Sequence, residues 1–170
     1  MRALVTGGPG FIGSNLVDAL LARDDDVTVV DDLSTGRREN LDRALAAGGE
    51  LAELDIREAA ALAELVAAAQ PEVVFHLAAQ IDVRKSLADP AFDASINVGG
   101  TANLLEAMRA AGSPRIVFVS TGGAIYGEGA GRICRSTRTR RSNPSPPTAR
   151  ASSPPRDTWR STSGYTASPA

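Results

Sequence analysis

Lysine is nearly missing from the sequence: there is one, Lys85, among 170 residues. Histidine, cysteine and tryptophan also occur once each, and aromatic residues make up only 4% of the chain. The single cysteine, Cys134, excludes an internal disulfide framework and suits a reducing compartment. Long apolar runs are missing too. Val73 to Ala79 contains His76 and falls well short of the ~18–20 apolar residues needed to cross a bilayer. The amino-terminal residues reach Gly7 and Gly8 too early to form the apolar core of a signal peptide. A cytoplasmic protein with no membrane partner and no metal site is expected. A dominant charge is also lacking: 18 basic against 20 acidic side chains give a net of −2, so no global field points to nucleic acid.

That average conceals a break. Residues 1–130 hold 10 basic and 19 acidic side chains, a net of −9, whereas residues 131–170 hold 8 arginines against Asp157 alone, a net of +7. The two stretches therefore divide into a folded part, 1–130, and a tail, 131–170. Within the first, apolar strand-like runs alternate with helix-like ones. Leu4 to Thr6, Val27 to Val30, a weak Glu50 to Asp55, Val73 to Leu77 and Ile116 to Ser120 read as strands. Phe11 to Arg23, Leu41 to Ala47, Glu58 to Ala69 and Pro90 to Ala111 read as helices, the last with Ile96, Leu104, Leu105 and Met108 facing inward. Strands alternating with helices imply right-handed crossovers and a doubly wound parallel α/β sheet covered on both faces.

Gly7-Gly8-Pro9-Gly10-Phe11-Ile12-Gly13 lies between the first strand and the first helix. Glycine lets the backbone turn at Gly7, approach a pyrophosphate at Gly10 and pack helix on strand at Gly13. The helix N-terminus then offers free N–H groups and a partial positive charge to phosphate. Asp31 closes the second strand, where a carboxylate can accept both ribose hydroxyls of an adenosine and repel a 2′-phosphate. Arg37 and Arg38 would suit NADP; Asp31 argues harder for NAD. An ordinary tight turn is the bland alternative for the glycines, and the strand–turn–helix context with an acid after the second strand weighs against it.

Six motifs then fall in order: Thr6 to Gly13, Asp31-Asp32-Leu33-Ser34-Thr35-Gly36, Asp55-Ile56, His76-Leu77-Ala78-Ala79, Asn97-Val98-Gly99-Gly100-Thr101 and Ser120 to Gly127. Together they resemble the extended short-chain dehydrogenase/reductases that act on nucleotide sugars, above all the UDP-glucose 4-epimerase branch. The resemblance covers residues 1 to about 130. It implies a Rossmann-type sheet of about five strands ordered 3-2-1-4-5, an NAD cofactor and a UDP-sugar substrate. It places Gly7, Gly10, Phe11, Ile12 and Gly13 at the pyrophosphate and Asp31 at the adenine ribose, with Asp32, Ser34 and Gly36 on the same cofactor side. Asp55 and Ile56 would lie against adenine, although Asp55 alone could equally cap a turn. Leu77, Ala78 and Ala79 would line the nicotinamide side and Asn97 would brace the central strands. A catalytic hydroxyl is expected at Thr121, with Ser120 the alternative. Val83 and Ser86 would approach the sugar nucleotide, or simply cap a helix. His76 ends a buried strand without an acid partner, which favours a structural role over a catalytic one.

The same resemblance calls for a tyrosine base with a lysine four residues on, which lowers its pKa and holds the nicotinamide ribose. In an epimerase the tyrosine takes the 4-hydroxyl proton while NAD takes the C4 hydride, and the ketone turns over before the hydride returns. Here the residue four before Lys85 is Ile81, Tyr126 is followed by Ala130 and Tyr165 by Pro169. No Tyr-x-x-x-Lys exists in these 170 residues, so the chain as written is expected to be catalytically incompetent. A nucleotide-sugar 4,6-dehydratase would carry Thr-Asp-Glu after the fifth strand, where this chain has Thr121-Gly122-Gly123. Decarboxylases and reductases of the family stay open, as does a stand-alone NAD-binding or sensing module.

The tail holds eight arginines, eight serines, six threonines and six prolines over 131–170. It lacks apolar periodicity and is expected to be disordered. Without lysine or interleaved aromatics it makes a poor nucleic-acid arm. It reads best as a frameshift product. Joining the last base of each codon to the first two of the next, from Arg135 onward, permits a string containing D-E-D-T-P and S-P-Y-G-Q-S-K at the family's spacing. A half-domain lacking the rest would leave its fifth strand as an open sheet edge and aggregate readily. Intact members would be homodimers; this chain would not.

Overall fold

The computed structural model describes residues 1–121. Tyr126, Cys134, Tyr165 and the expectation of a disordered tail over 131–170 lie outside them. Five parallel strands form one sheet in the order β3-β2-β1-β4-β5: β1 Arg2–Thr6, β2 Asp26–Asp31, β3 Glu50–Glu53, β4 Val73–His76 and β5 Arg115–Phe118. This is the doubly wound order expected. Register is fixed by Val5 opposite Val29 on one side and Phe75 on the other, so β1 is the spine.

Alternation along the strands builds one core on each face. Ala3, Val5, Val27, Val29 and Val73 pack beneath α1, Phe11–Leu21, and α2, Asp42–Ala46, through Val17, Leu20 and Ala44. Leu4, Val30 and Val74 pack on the other face against α3, Ala59–Ala69, and α6, Thr101–Ala110, through Leu62, Val66, Leu104, Ala107 and Met108. Pro71 lies just beyond α3, which ends on Gln70 in the left-handed region at φ 46°.

Several boundaries differ from the sequence reading. The helix expected over 41–47 is a 3-10 turn, Arg38–Leu41, running into α2. A short helix absent from that reading, α4 Val83–Ala88, is capped by Asp82, whose carboxylate accepts the Arg84 N–H. The long helix over 90–111 is three joined pieces: α5 Pro90–Ala94, a π-helical turn Ser95–Gly100 and α6. Leu105 is not inward but 47% exposed. Leu104, Ala107 and Met108 occupy the inward face at helical spacing, and Leu105 sits one step off it. Strand β5 stops at Phe118, before Ser120.

Candidate functional site

At the carboxyl edge of the sheet the exits of β1, β2, β3 and β4 converge, and glycine is required where they touch. Gly7 turns the chain at φ 78°, and a Cβ there would lie 2.7 Å from the Ala78 nitrogen, so the glycine loop rests directly on the β4 exit. A Cβ on Gly13 would strike the Gly7 carbonyl and lie 2.7 Å from that of Gly8, which fixes how closely α1 approaches the loop. Gly10, the N-cap of α1, supplies no side-chain cap, and the first turn carries no acid. The N–H groups of Phe11, Ile12 and Gly13 therefore begin the helix without intrahelical acceptors, beside side chains of Phe11 and Ile12 that face solvent. Uncapped donors and a positive helix end make a seat for a diphosphate.

The β2 exit is bound to this loop. The buried Pro9 carbonyl accepts from the Asn40 amide at 2.7 Å and from the Arg37 N–H at 3.4 Å, and Gly36 packs on Pro9 and on the Asp31 carboxylate. Asp31 Oδ1 accepts the Leu33 N–H at 2.8 Å, with Leu33 held at φ 55°. Burial, and the neighbouring Asp32 charge, raise the Asp31 pKa above the ordinary carboxylate value, while the Leu33 N–H pulls it back. Asp32 turns away to accept the Ser34 N–H and hydroxyl at 3.0 and 2.6 Å.

After β3, Asp55 is held by Arg57, which donates from Nε at 2.8 Å and from its backbone N–H at 2.8 Å. The guanidinium lowers the Asp55 pKa and lies 5.3 Å from the Phe92 ring centre. The Ile56 side chain is buried against Gly100, where a Cβ would come within 2.5 Å of Ile56 Cδ1. Asn103 donates to the Ile56 and Arg57 carbonyls at 3.2 and 3.0 Å and pins this turn.

The β4 exit, Leu77 to Asp82, is braced from both sides. Thr6 Oγ1 accepts the N–H groups of Leu77 and Ala78, both at 3.2 Å. With both lone pairs used, its own proton goes to His76 Nδ1 at 2.7 Å. Thr101 donates to the Asn97 carbonyl at 2.8 Å, so it accepts from His76 Nε2 at 2.9 Å. The ring is thus a neutral, fully satisfied Nε2–H imidazole, and burial lowers its pKa to about 4. His76 is a brace. Asn97 accepts the Gln80 N–H and donates to the Gln80 carbonyl, both at 2.9 Å.

The remaining expected residues follow the β4 and β5 exits at the same carboxyl edge. Ser86 is fully buried, its hydroxyl 2.8 Å from Asp93, whereas Val83 is 44% exposed on α4. Ser120 and Thr121 follow β5 and are both exposed. Gln80, Asn40, Asp93, Arg57 and Asn103 were not singled out in the sequence. Asn40, Asn103 and Gln80 bond partners 31, 47 and 17 residues away that only the fold brings near, whereas Arg57 and Asp93 bond Asp55 and Ser86 close by without a motif to mark them. Among the described residues no cluster of acids, histidines and cysteines could hold a metal, and no helix is long and apolar enough to cross a membrane.

A glycine loop from β1 into α1, an acid closing β2 and a switch in strand order beside them define a dinucleotide-binding protein with a short-chain dehydrogenase/reductase type fold. The sequence profile of the NAD dependent epimerase/dehydratase family matches residues 3–151, and the chain belongs to that family. It is similar to the UDP-glucose 4-epimerase of Mycolicibacterium smegmatis, 53% identical over 128 residues that cover 75% of this chain and 41% of that protein. Among solved structures it resembles the UDP-glucose 4-epimerase of Thermotoga maritima with UDP-glucose, at 41% identity and a TM-score of 0.81, over 89% of this chain and 48% of that one. The Thermus thermophilus UDP-glucose 4-epimerase in complex with NAD gives 43% identity and a TM-score of 0.81, over 89% and 47%. The chain spans about two-fifths of the length of the Mycolicibacterium smegmatis enzyme and of the putative UDP-glucose 4-epimerase of Methanocaldococcus jannaschii.

Proposed function

We propose that this chain is the NAD-binding portion of a nucleotide-sugar 4-epimerase and that, as 170 residues, it binds NAD without turning over a sugar. The observation that carries the reading is the seat at the start of α1. Its donors are uncapped, Gly13 admits no Cβ, and Asp31 stands at the end of the adjoining strand. The residues present suit the cofactor. Gly7, Gly10, Phe11, Ile12 and Gly13 would receive the pyrophosphate through backbone N–H groups. Asp31 would accept the adenine ribose hydroxyls through Oδ2, since Oδ1 already holds Leu33. Asp32, Ser34 and Gly36 would shape that turn rather than touch the ligand. Asp55 would meet adenine with its carboxylate shared with Arg57, and Ile56 would offer its backbone, because its side chain is core. Leu77, Ala78 and Ala79 would line the nicotinamide side, on a loop fixed by Asn97. NAD supplies hydride acceptance and return at the sugar C4 in such an enzyme.

Thr121, or Ser120 beside it, would place the family's catalytic hydroxyl, and Val83 would approach the UDP-sugar. The proton-moving tyrosine and its lysine have no counterpart in the sequence. The division at 130 and the out-of-frame origin of 131–170 belong to the same proposal, as does the cytoplasmic setting that the lone cysteine suits. Titration with NAD and NADP, followed by a UDP-glucose epimerase assay, tests it. Heat of binding with NAD, much weaker binding with NADP and no epimerisation are expected. No heat with NAD would overturn the reading, and turnover would overturn the claim of incompetence. Resequencing the encoding DNA past codon 120 checks the tail: a one-base correction that opens a frame through Y-G-x-S-K supports it. A hidden frame that soon stops would leave the basic tail genuine and favour a sensing module.

A further inference from the structure

Asp93 is a carboxylate at 1% exposure that none of the roles above uses. Among the described residues no cation lies within ion-pair distance of it. Three neutral donors converge on its Oδ1 instead: the Ser86 hydroxyl at 2.8 Å, the Gln80 amide at 3.2 Å and the Asn97 amide at 3.2 Å. An ionised carboxylate only accepts, so it dictates the direction of every bond around it. It turns the Asn97 amide so that its nitrogen faces Asp93 and the Gln80 carbonyl, leaving its oxygen for the Gln80 N–H. It also holds the Gln80 side chain with its nitrogen inward, donating to the Asp82 carbonyl at 3.0 Å, and its oxygen accepting the Asp82 N–H at 2.6 Å. Both ends of the segment Gln80–Asp82 are therefore set by one buried charge.

We propose that Asp93, acting through Ser86, Gln80 and Asn97, is a positioning residue that fixes the β4-exit loop where the nicotinamide half of NAD lies. This rests on the NAD-binding reading above. Three donors converge on one carboxyl oxygen and are ordered by it in return. The pyrophosphate and adenosine seats are built from β1, β2 and β3 exits, and among the described residues the hydrogen bonds of Asp93 go only to Ser86, Gln80 and Asn97. Loss of this cluster should therefore weaken recognition of one half of the cofactor only.

The experiment compares NAD with ADP-ribose, which lacks the nicotinamide, by calorimetric titration of the full 170-residue chain. Asp93→Asn and Ser86→Ala are set beside Val66→Ala, a fully buried position under α3 remote from the loop. Asp93→Asn and Ser86→Ala should each weaken NAD by about tenfold, the scale of one charge-assisted hydrogen bond, and ADP-ribose by less than about twofold. Val66→Ala should lower thermal stability and leave the ratio of the two affinities unchanged. Equal weakening of both ligands, or no change in the ratio, would show that the cluster merely holds the fold and would overturn the proposal. If the unsubstituted chain binds neither ligand, the NAD reading itself fails and takes this inference with it. If it binds both and only the ratio stays put, the inference alone fails.

Discussion

Strands β1 and β5 begin alike. One reads Arg-Ala-Leu-Val-Thr and the other Arg-Ile-Val-Phe, both apolar and suited to a parallel sheet. In β1 every residue after Arg2 is buried, and Leu4 and Val5 are fully so. In β5 every residue is exposed, with Ile116, Val117 and Phe118 at 37%, 46% and 42%. The difference is in the neighbours. β1 pairs on both sides and lies under α1 and α3, whereas β5 pairs with β4 alone among the described residues. On the α1 face a groove lined by Met1, Phe75, Ile116 and Val117 stays open beside it. A strand's apolar sequence states what it can bury; the elements around it determine what it does bury.

The sharpest break in that contrast is made at the packed end. Gly13→Ala puts a methyl group into the Gly7 and Gly8 carbonyls, with backbone on the other side of the clash and nothing flexible to yield. A cost of about 3 kcal/mol is expected, with loss of NAD binding. A lowered urea midpoint together with a flat titration checks this; unchanged NAD affinity would show that α1 can retreat from the loop.

Leu62→Ala removes a fully buried side chain between α3 and the sheet. Leucine-to-alanine changes in a core that relaxes little cost about 3 kcal/mol. Val117→Ala, at the open edge, should cost less than about 1 kcal/mol, because there is little burial to lose. Comparing the two by chemical denaturation tests the contrast directly. Equal costs would mean that Val117 is covered as thoroughly as the core beneath α3.

His76 joins the two regions, bonded to Thr6 of β1 and packed against Phe118 of β5 with the rings tilted by 51° and their centres 5.6 Å apart. Its pKa is lowered by burial from 6.5 to about 4, so between those values the unfolded chain binds a proton that the folded one refuses. Stability contributed by the neutral ring is complete above the unfolded value and is lost as pH falls toward 4. From pH 7 to pH 5 the loss should be about 2 kcal/mol. His76→Gln, which can still donate and accept, should flatten this part of the profile. A wild-type stability independent of pH over that span would show that the ring is not shut off from protons.

The parallel sheet and the glycine loop were legible in the sequence because their signals are local: apolar runs, an acid at a strand end, glycines between strand and helix; the strand order came with the family resemblance that those motifs carry. The π-helical turn was hidden because the residues over 95–100 keep helical spacing and nothing in them marks the extra residue per turn. Ser86 shows a different limit. The resemblance set Ser86 near the sugar nucleotide or in a helix cap, yet Asp93, seven residues on, draws its hydroxyl into a buried cluster. Likewise nothing local marks Gln80 or Asn40, whose partners Asn97 and Pro9 lie 17 and 31 residues away. Ile56 was legible as part of a motif but not as core, because the space it fills is made by Gly100, far along the chain.

The smallest effect on stability belongs to the edge itself. Val117 sits on β5 on the same face as Phe75, across from it in register, and is half-exposed there. An apolar strand that pairs on one side only, as β5 does among the described residues, is a template for pairing with a second chain, and natural sheets blunt such edges with charge, lysine above all. Val117→Lys can keep its stem along the sheet while its ammonium reaches solvent, so the folding midpoint should move by less than about 0.5 kcal/mol. The soluble fraction after expression should rise, and NAD affinity should hold, since β4 separates β5 from β1, the strand that leads into the glycine loop. If solubility does not change while the midpoint drops by as much as for a core position, β5 is shielded in solution and the contrast with β1 fails. If solubility improves and binding is retained, the edge is where this chain loses order in assembly while its cofactor half remains intact.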